Sequence, residues 1–270
     1  MQRAKHSLRH FGRFFVGRST YKFAIREWTA VDLSSLAEVL ASTRYLRSFE
    51  PLLLDRPRGT RLLVLAPHPD DEMIGPGGTI IKAIAAGAKV HVVYLTEHIG
   101  DRGALRRQDA QNARQNIGYT AEFLSLEPNA LPVSDSVAAL LGERMAAFSP
   151  DTIFVPFISD DHPDHQKTSQ LLALAVRRGF FLSSAEVWAY QVYSAVLPNV
   201  VVDVTSVRDE KAAAIRMWTS AMKSRDWVHY ALGLNAYNSR LLGRCTDARF
   251  VEAFFVVPLD DYVEFLESYG

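Results

Sequence analysis

From residue 61 onward the chain alternates short aliphatic runs with longer amphipathic stretches, the order imposed by a parallel sheet with crossover helices. The runs at 61–66 (RLLVLA), 89–96 (KVHVVYLT), 122–126, 152–156 (TIFVP), 186–192, 200–204 and 250–257 predict strands. Between them, helical spacing predicts helices over 77–86, 134–148, 164–178 and 209–222, with a mostly polar one over 104–117. Gly87 and Gly118 stand where a left-handed C-terminal cap is needed, and Ser134 and Asp135 where a helix starts. The fold class expected is α/β, a mostly parallel sheet with helices on both faces.

The first fifty residues are patterned differently. Arg3, Lys5, Arg9, Arg13, Arg18, Lys22 and Arg26 precede the first acid, Glu27, and Leu8, Phe11, Phe14 and Phe15 fall at helical spacing among them. A basic helix with an aromatic face suits either an arm packed on the body or a peripheral contact with an anionic membrane through residues 1–26. Residues 32–48 read as an amphipathic helix capped by Asp32, and Pro51, Pro57 and Gly59 then punctuate the approach to the first core strand. The expected organisation is therefore a basic arm and helix over 1–50 and one larger domain over 51–270.

Composition narrows the function classes. At 270 residues, with 48% hydrophobic and 22% charged residues, the chain is globular and long enough for a large core. Net charge is zero, which removes any global electrostatic case for nucleic acid. Cys245 is the only cysteine, so disulfides and cysteine-type zinc sites are excluded. No apolar run reaches the roughly 20 residues of a membrane span, and arginines interrupt the apolar patch near the start. A cytoplasmic location is the expectation.

The candidate chemistry sits at two strand ends. The run 61–66 leads straight into Pro67-His68-Pro69-Asp70-Asp71-Glu72, and the run 152–156 leads into Ser159-Asp160-Asp161-His162-Pro163-Asp164-His165. If those strands are parallel neighbours, both polar bursts meet at one end of the sheet, where α/β proteins place their ligands. His68, Asp71 and one histidine of the second burst then form a two-nitrogen, one-oxygen set with a position left open, the pattern of a catalytic metal site. The glycines at 75, 77 and 78 lack the spacing of a dinucleotide fingerprint.

Pro67-His68-Pro69-Asp70-Asp71-Glu72 resembles the A-H-P-D-D-E signature of the PIG-L (LmbE-like) N-acetylglucosaminyl deacetylases, and His162-Pro163-Asp164-His165 resembles that family's H-x-D-H motif. Arg106 and Asp109 ahead of Ile117-Gly118, Val202-Asp203-Val204 with Lys211, and Val251-Glu252-Ala253-Phe254 also look like family landmarks. The resemblance covers roughly residues 60–258; Pro67 replaces the usual Ala, and Asp109 the commoner Glu. It implies a Rossmann-like, LmbE-like fold and a zinc-dependent hydrolase that removes the N-acetyl group from an N-acetylglucosamine-type sugar or glycoconjugate. It further implies that His68, Asp71 and His165 hold the ion and that Asp70 is the general base. His162 would face the oxyanion or protonate the leaving amine, with Asp164 orienting it, and Arg106 and Asp109 would contact substrate. From the chain alone His162 and His165 can exchange roles, and Fe(II) is the alternative occupant of such a site.

Other residues carry weaker expectations. His98, on the loop after 89–96, is a candidate lining residue for the substrate pocket. Glu72 is expected to pack or cap the next turn, and Asp160 and Asp161 to lie in a solvated acidic loop or touch substrate hydroxyls. Trp188, Tyr190 and Tyr193 are expected in the core or stacked on a sugar face. Two readings compete with the enzyme: a non-catalytic carbohydrate-binding protein on this scaffold, and an adaptor whose basic arm binds phosphate polymers. The intact set His68, Asp70, Asp71, His162 and His165 speaks against the first, and the second would show steeply salt-dependent affinity and no acetate release.

Overall fold

The computed structural model describes residues 51–267 except 195, 197, 244 and 245. The expectations for the arm at 1–26, the helix at 32–48, the division at residue 50 and Cys245 thus lie wholly or partly outside the described residues. Among the described residues, no helix is long and apolar enough to cross a membrane.

Eight strands form one sheet: β1 (Leu52–Leu54), β2 (Arg61–Ala66), β3 (Lys89–Thr96), β4 (Thr120–Leu126), β5 (Thr152–Pro156), β6 (Glu186–Tyr190), β7 (Val200–Asp203) and β8 (Val251–Pro258). Their order is β1-β7-β8-β6-β5-β2-β3-β4. All pairings are parallel except those of β8, which lies antiparallel between β6 and β7. The expected α/β class is what the chain adopts, as a mixed, mostly parallel sheet.

The helices are α1 (Asp71–Ile74), α2 (Gly77–Ala85), α3 (Asp101–Ile117), α4 (Asp135–Phe148), α5 (Pro163–Arg177), α6 (Arg208–Arg216), α7 (Thr219–Met222), α8 (Trp227–Asn238) and α9 (Leu259–Glu267). They cover both faces because the central strands are apolar on both. Leu62, Val64 and Ala66 of β2 pack with Ile80, Ala212, Ile215 and Ala231, while Leu63 and Leu65 pack with Leu141, Met145, Leu171, Leu172 and Tyr262. Each of these side chains is fully buried or nearly so, and each buried Leu, Ile, Val or Met is worth about 1.5–3 kcal/mol relative to exposure.

One topological fact positions the chemistry. After β2 the chain runs to β3 and β4 on one side, then returns to place β5 on the other, so β2 and β5 are parallel neighbours, with Leu62 opposite Thr152 and Val64 opposite Phe154. Their carboxyl ends flank the crevice where the strand order reverses, the usual ligand position of an open α/β sheet. Both polar bursts open there.

Candidate metal centre and active site

The segment leaving β2 turns sharply at Asp70, which precedes α1 with φ 127° and ψ −26°. That conformation is rarely adopted by a residue with a Cβ and costs about 1–3 kcal/mol. It is fixed from several directions. The Asp70 amide donates to Glu72 Oε2 at 3.1 Å, and Arg106 Nη1 donates to Asp70 Oδ2 at 2.7 Å and to the Pro69 carbonyl. The Asp70 carbonyl accepts the amides of Met73 and Ile74, each at 3.0 Å.

Asp71, on the first turn of α1, is buried with Oδ2 at the centre of the cluster. That oxygen accepts the His68 amide at 2.9 Å and lies 3.2 Å from both His68 Nδ1 and His165 Nε2. His165 is fully buried on α5, and its Nδ1 lies 3.1 Å from Asp160 Oδ1. Neither nitrogen of His165 is aligned for a hydrogen bond with these oxygens. Facing nitrogens of His68, His162 and His165 lie within 4.8 Å of one another.

The second burst is organised by capping. His162 is the N-cap of α5, its Nδ1 accepting the Asp164 amide at 3.1 Å. Asp160 is almost fully buried and accepts the His162, Val192 and Tyr193 amides at 3.0–3.3 Å. This replaces the expectation of a solvated or substrate-facing Asp160, whereas Asp161 is exposed.

Two expected contacts are corrected. The Asp164 side chain does not orient His162: Oδ2 lies 3.1 Å from His68 Nε2 and accepts the Asn129 amide, and Oδ1 accepts the Leu131 amide. Only the Asp164 backbone meets His162, because helix capping turns that carboxylate away from the ring two residues behind it. Asp109 does not reach a substrate crevice. It is 2% exposed and its oxygens accept Thr219 Oγ1, Ser220 N and Ser220 Oγ at 2.8–3.0 Å, so it ties α3 to the start of α7. Trp188 and Tyr190 are core residues, leaving Tyr193 as the half-buried aromatic beside the histidines. Arg106 is at the centre, held by Asp70 and Pro69. His98 is partly exposed on the rim, where burial and then Arg102, Arg106 and His68 lower its pKa.

The electrostatics follow from four carboxylates closing on three imidazoles. Burial works against charge on His165, but Asp71 and Asp160 outweigh it and push its pKa up to about 10. His68 is raised to about 9, with Asp164 and Asp71 overcoming its burial. Burial raises Asp71, yet His165 and His68 hold it far below the usual carboxylate range. Burial also raises Asp70, partly offset by Arg106, to about 6, and lifts fully buried Glu72 to about 8 with help from Asp70. Glu72 therefore serves as a buried prop, accepting from Tyr119 Oη at 3.2 Å as well as from Asp70.

These residues fit a divalent cation. Ligand atoms bonded at 2.0–2.2 Å in a tetrahedron stand roughly 3.3–3.6 Å apart, just above the 3.2 Å from Asp71 Oδ2 to the nitrogens of His68 and His165. The unaligned, buried nitrogens of His165 are what an imidazole poised for an ion between Asp71 and itself presents. Asp160 Oδ1, 3.1 Å from its outer nitrogen, is within reach of fixing it once an ion draws the ring into line, the arrangement that keeps a liganding histidine in one tautomer. We expect Asp160→Asn, which keeps acceptors for the Val192 and Tyr193 amides, to weaken divalent-ion affinity about 10- to 100-fold. Competition with a chromophoric chelator measures this; unchanged affinity would mean that His165 is oriented without Asp160.

Two features had no clear sequence signal. The burial of Asp160 is invisible in an Asp-Asp pair, and the aromatic group around Tyr193 is assembled from segments more than thirty residues apart. A third, Lys211 with Glu252, was visible only as family landmarks. Lys211 Nζ donates to Glu252 Oε1 at 2.7 Å and to Gly75 O and Asn235 Oδ1 at 3.0 Å. Glu252 also accepts the Gly78 and Thr79 amides at 2.7 and 2.8 Å, fixing the first turn of α2 behind the centre. Gly78 is required there, since a Cβ would stand 2.7 Å from Val204 Cβ.

Comparison with known proteins gives the same picture. Residues 63–176 match the family described as PIG-L, GlcNAc-PI de-N-acetylase. The chain is 25% identical over 225 residues to the diacetylchitobiose deacetylase of Thermococcus kodakarensis, covering 73% of this chain and 83% of that one. It is 43% identical over 79 residues to the 1D-myo-inositol 2-acetamido-2-deoxy-α-D-glucopyranoside deacetylase of Mycobacterium tuberculosis, a match spanning 27% of this chain and a quarter (25%) of that enzyme. In structure it resembles the N,N'-diacetylchitobiose deacetylase of Pyrococcus horikoshii, with TM-score 0.66, 21% identity, and coverage of 89% of this chain and 97% of that one. At that identity the likeness speaks for the fold.

Proposed function

Because the chain belongs to the PIG-L (LmbE-like) family of N-acetylglucosaminyl deacetylases, we propose that it hydrolyses the acetamide of an N-acetylglucosamine-type sugar or glycoconjugate with a divalent metal ion. The observation that carries this reading is Asp70: a buried, conformationally strained carboxylate beside the His68, Asp71 and His165 cluster. In this reading His68, Asp71 and His165 hold the ion, zinc or alternatively Fe(II), which supplies Lewis-acid polarisation and lowers the pKa of water. In this reading the catalytic domain is 51–270, in a cytoplasmic protein, and the basic segment 1–26 is an arm packed on the body or, alternatively, a peripheral membrane contact.

Each residue then has one task. Asp70, raised to about 6, accepts the proton of the attacking water as the new C–O bond forms. Arg106 keeps that carboxylate aimed. His162 is neutral at rest, since burial and then His68 and His165 hold its pKa down. Its Nδ1 accepts the Asp164 amide, so the proton of the neutral ring is on Nε2, which makes that nitrogen a donor toward the developing oxyanion. As the C–N bond breaks, the proton collected by Asp70 passes to the departing nitrogen. Asp164 buttresses His68.

Acetate release from N-acetylglucosamine, diacetylchitobiose and N-acetylglucosaminyl-inositol, with and without chelator, tests the proposal. We expect release from at least one of them, abolished by chelator and restored by zinc, and loss of bound metal in His165→Ala on elemental analysis. Chelator-resistant release would remove the metal from the reaction, and no release from any acetamido sugar would remove the activity.

A further inference from the structure

Arg106 aims the carboxylate of Asp70, yet the strain at this residue lies in its backbone, which other groups hold as well. The Pro69–Asp70 peptide is gripped at both ends: its carbonyl accepts Arg106 Nη1, and its amide donates to Glu72 Oε2 at 3.1 Å. Turning that rigid plane is what changes φ at Asp70, so the two bonds together hold the angle at 127°.

Behind Glu72 the hydrogen bonds continue inward. Glu72 Oε1 accepts Tyr119 Oη at 3.2 Å, and Tyr119 Oη lies 3.1 Å from Tyr94 Oη. With its own proton given to Glu72, Tyr119 accepts from Tyr94, so both hydroxyls are turned toward the carboxyl group. Glu72 and Tyr94 are fully buried and Tyr119 is nearly so. The Tyr94 ring packs against Phe123 and Trp218, with centroids 4.7 and 6.0 Å away, which fixes where its hydroxyl stands. Tyr94 belongs to β3, and Tyr119 follows Gly118, the left-handed cap of α3. Helix α3 therefore serves Asp70 twice, through Arg106 in its N-terminal half and through Tyr119 just past its end.

Packing alone does not call for a carboxyl group at position 72. A leucine would fill that space without the cost of taking an acid out of water, but it could not accept an amide. The Asp70 N–H would then be buried without a partner beside a strained φ, and rotation of the peptide would relieve both. That rotation swings the base off its line to the His68, Asp71 and His165 cluster. We propose that Glu72, Tyr119 and Tyr94 are positioning residues for the hydrolysis, clamping the Pro69–Asp70 peptide so that the base stays in its strained conformation. This rests on Asp70 acting as the base, and it extends that reading to groups that touch neither substrate nor ion.

The clamp is tested on whichever of N-acetylglucosamine, diacetylchitobiose and N-acetylglucosaminyl-inositol the unaltered protein hydrolyses, with zinc content measured on the same samples. Glu72→Leu should lower kcat about 10- to 100-fold while KM and zinc content stay as they were. Glu72→Gln should restore most of the turnover, its carbonyl accepting the Asp70 amide and its NH2 group donating to Tyr119. Tyr119→Phe removes one oxygen and keeps the ring; it should lower kcat about three- to tenfold at constant KM, and it decides the matter if Glu72→Leu does not fold. Hydrogen exchange at the Asp70 amide, followed by NMR, should be about tenfold faster in Tyr119→Phe than in the unaltered protein. Losses that fall on KM or zinc content, a glutamine no better than leucine, or full turnover or unchanged exchange in Tyr119→Phe would each overturn the clamp. If the unaltered protein releases no acetate at all, it is the hydrolase reading that has failed. The exchange rate in Tyr119→Phe then decides whether the peptide is held.

Discussion

Asp70→Ala is expected to cut acetate release about 10²- to 10⁴-fold, the usual contribution of a positioned base, while leaving zinc content unchanged. The same position yields a stability result of opposite sense. With φ at 127°, any residue carrying a Cβ is strained there, and glycine is not. Asp70→Gly should therefore be as inactive as Asp70→Ala yet about 1 kcal/mol more stable than it, read as a higher urea midpoint. Both variants forfeit the Arg106 pair equally, so the difference isolates the backbone. Coincident midpoints would show that the turn carries no strain, and full turnover in either variant would remove Asp70 from the chemistry.

The largest loss of stability is expected at Lys211. Its ammonium group is fully buried, and burial lowers its pKa even against the opposing pull of Glu252 at 2.7 Å. Removing one member of a buried pair strands the other's charge, at a cost of about 3–5 kcal/mol, whereas replacing both by uncharged groups of similar shape can be close to neutral. Lys211→Ala should fall in that range, and Lys211→Met with Glu252→Gln should recover most of it, with the glutamine still accepting one of the Gly78 and Thr79 amides. Urea denaturation of the three variants separates these cases. A cost below about 1 kcal/mol for Lys211→Ala would mean that the two amides alone sustain the carboxylate. Activity should fall with stability, because those amides fix the helix behind the Asp70–Asp71 turn.

How much of this was legible beforehand depends on what kind of information each feature uses. β2 and β5 were readable because strands buried on both faces show as unbroken apolar runs, and their polar exits carry the site. α8 was missed because it is apolar nearly all round, with no period to mark one face, and it carries the aromatics beside the metal centre. β1, three residues set among prolines, and α9 were missed as well. Roles that depend on spatial neighbours escaped too. The family resemblance implies that Asp164 serves His162, but the first turn of α5 delivers its carboxylate to His68, 96 positions away. Asp109 likewise finds its partners at 219 and 220, beyond any local pattern.

The antiparallel seating of β8 has a bearing on how the chain is made. Until the ribosome has released residues 251–258, β6 and β7 have no common partner, and each presents an open rim of unpaired amides and carbonyls. Glu252 rides on that late strand, so the first turn of α2, behind the Asp70–Asp71 turn, stays unclamped through most of synthesis. Nascent chains halted before residue 251 would hold both motifs yet lack the clasp that sets them, and would be prone to cohere through their bare strand edges.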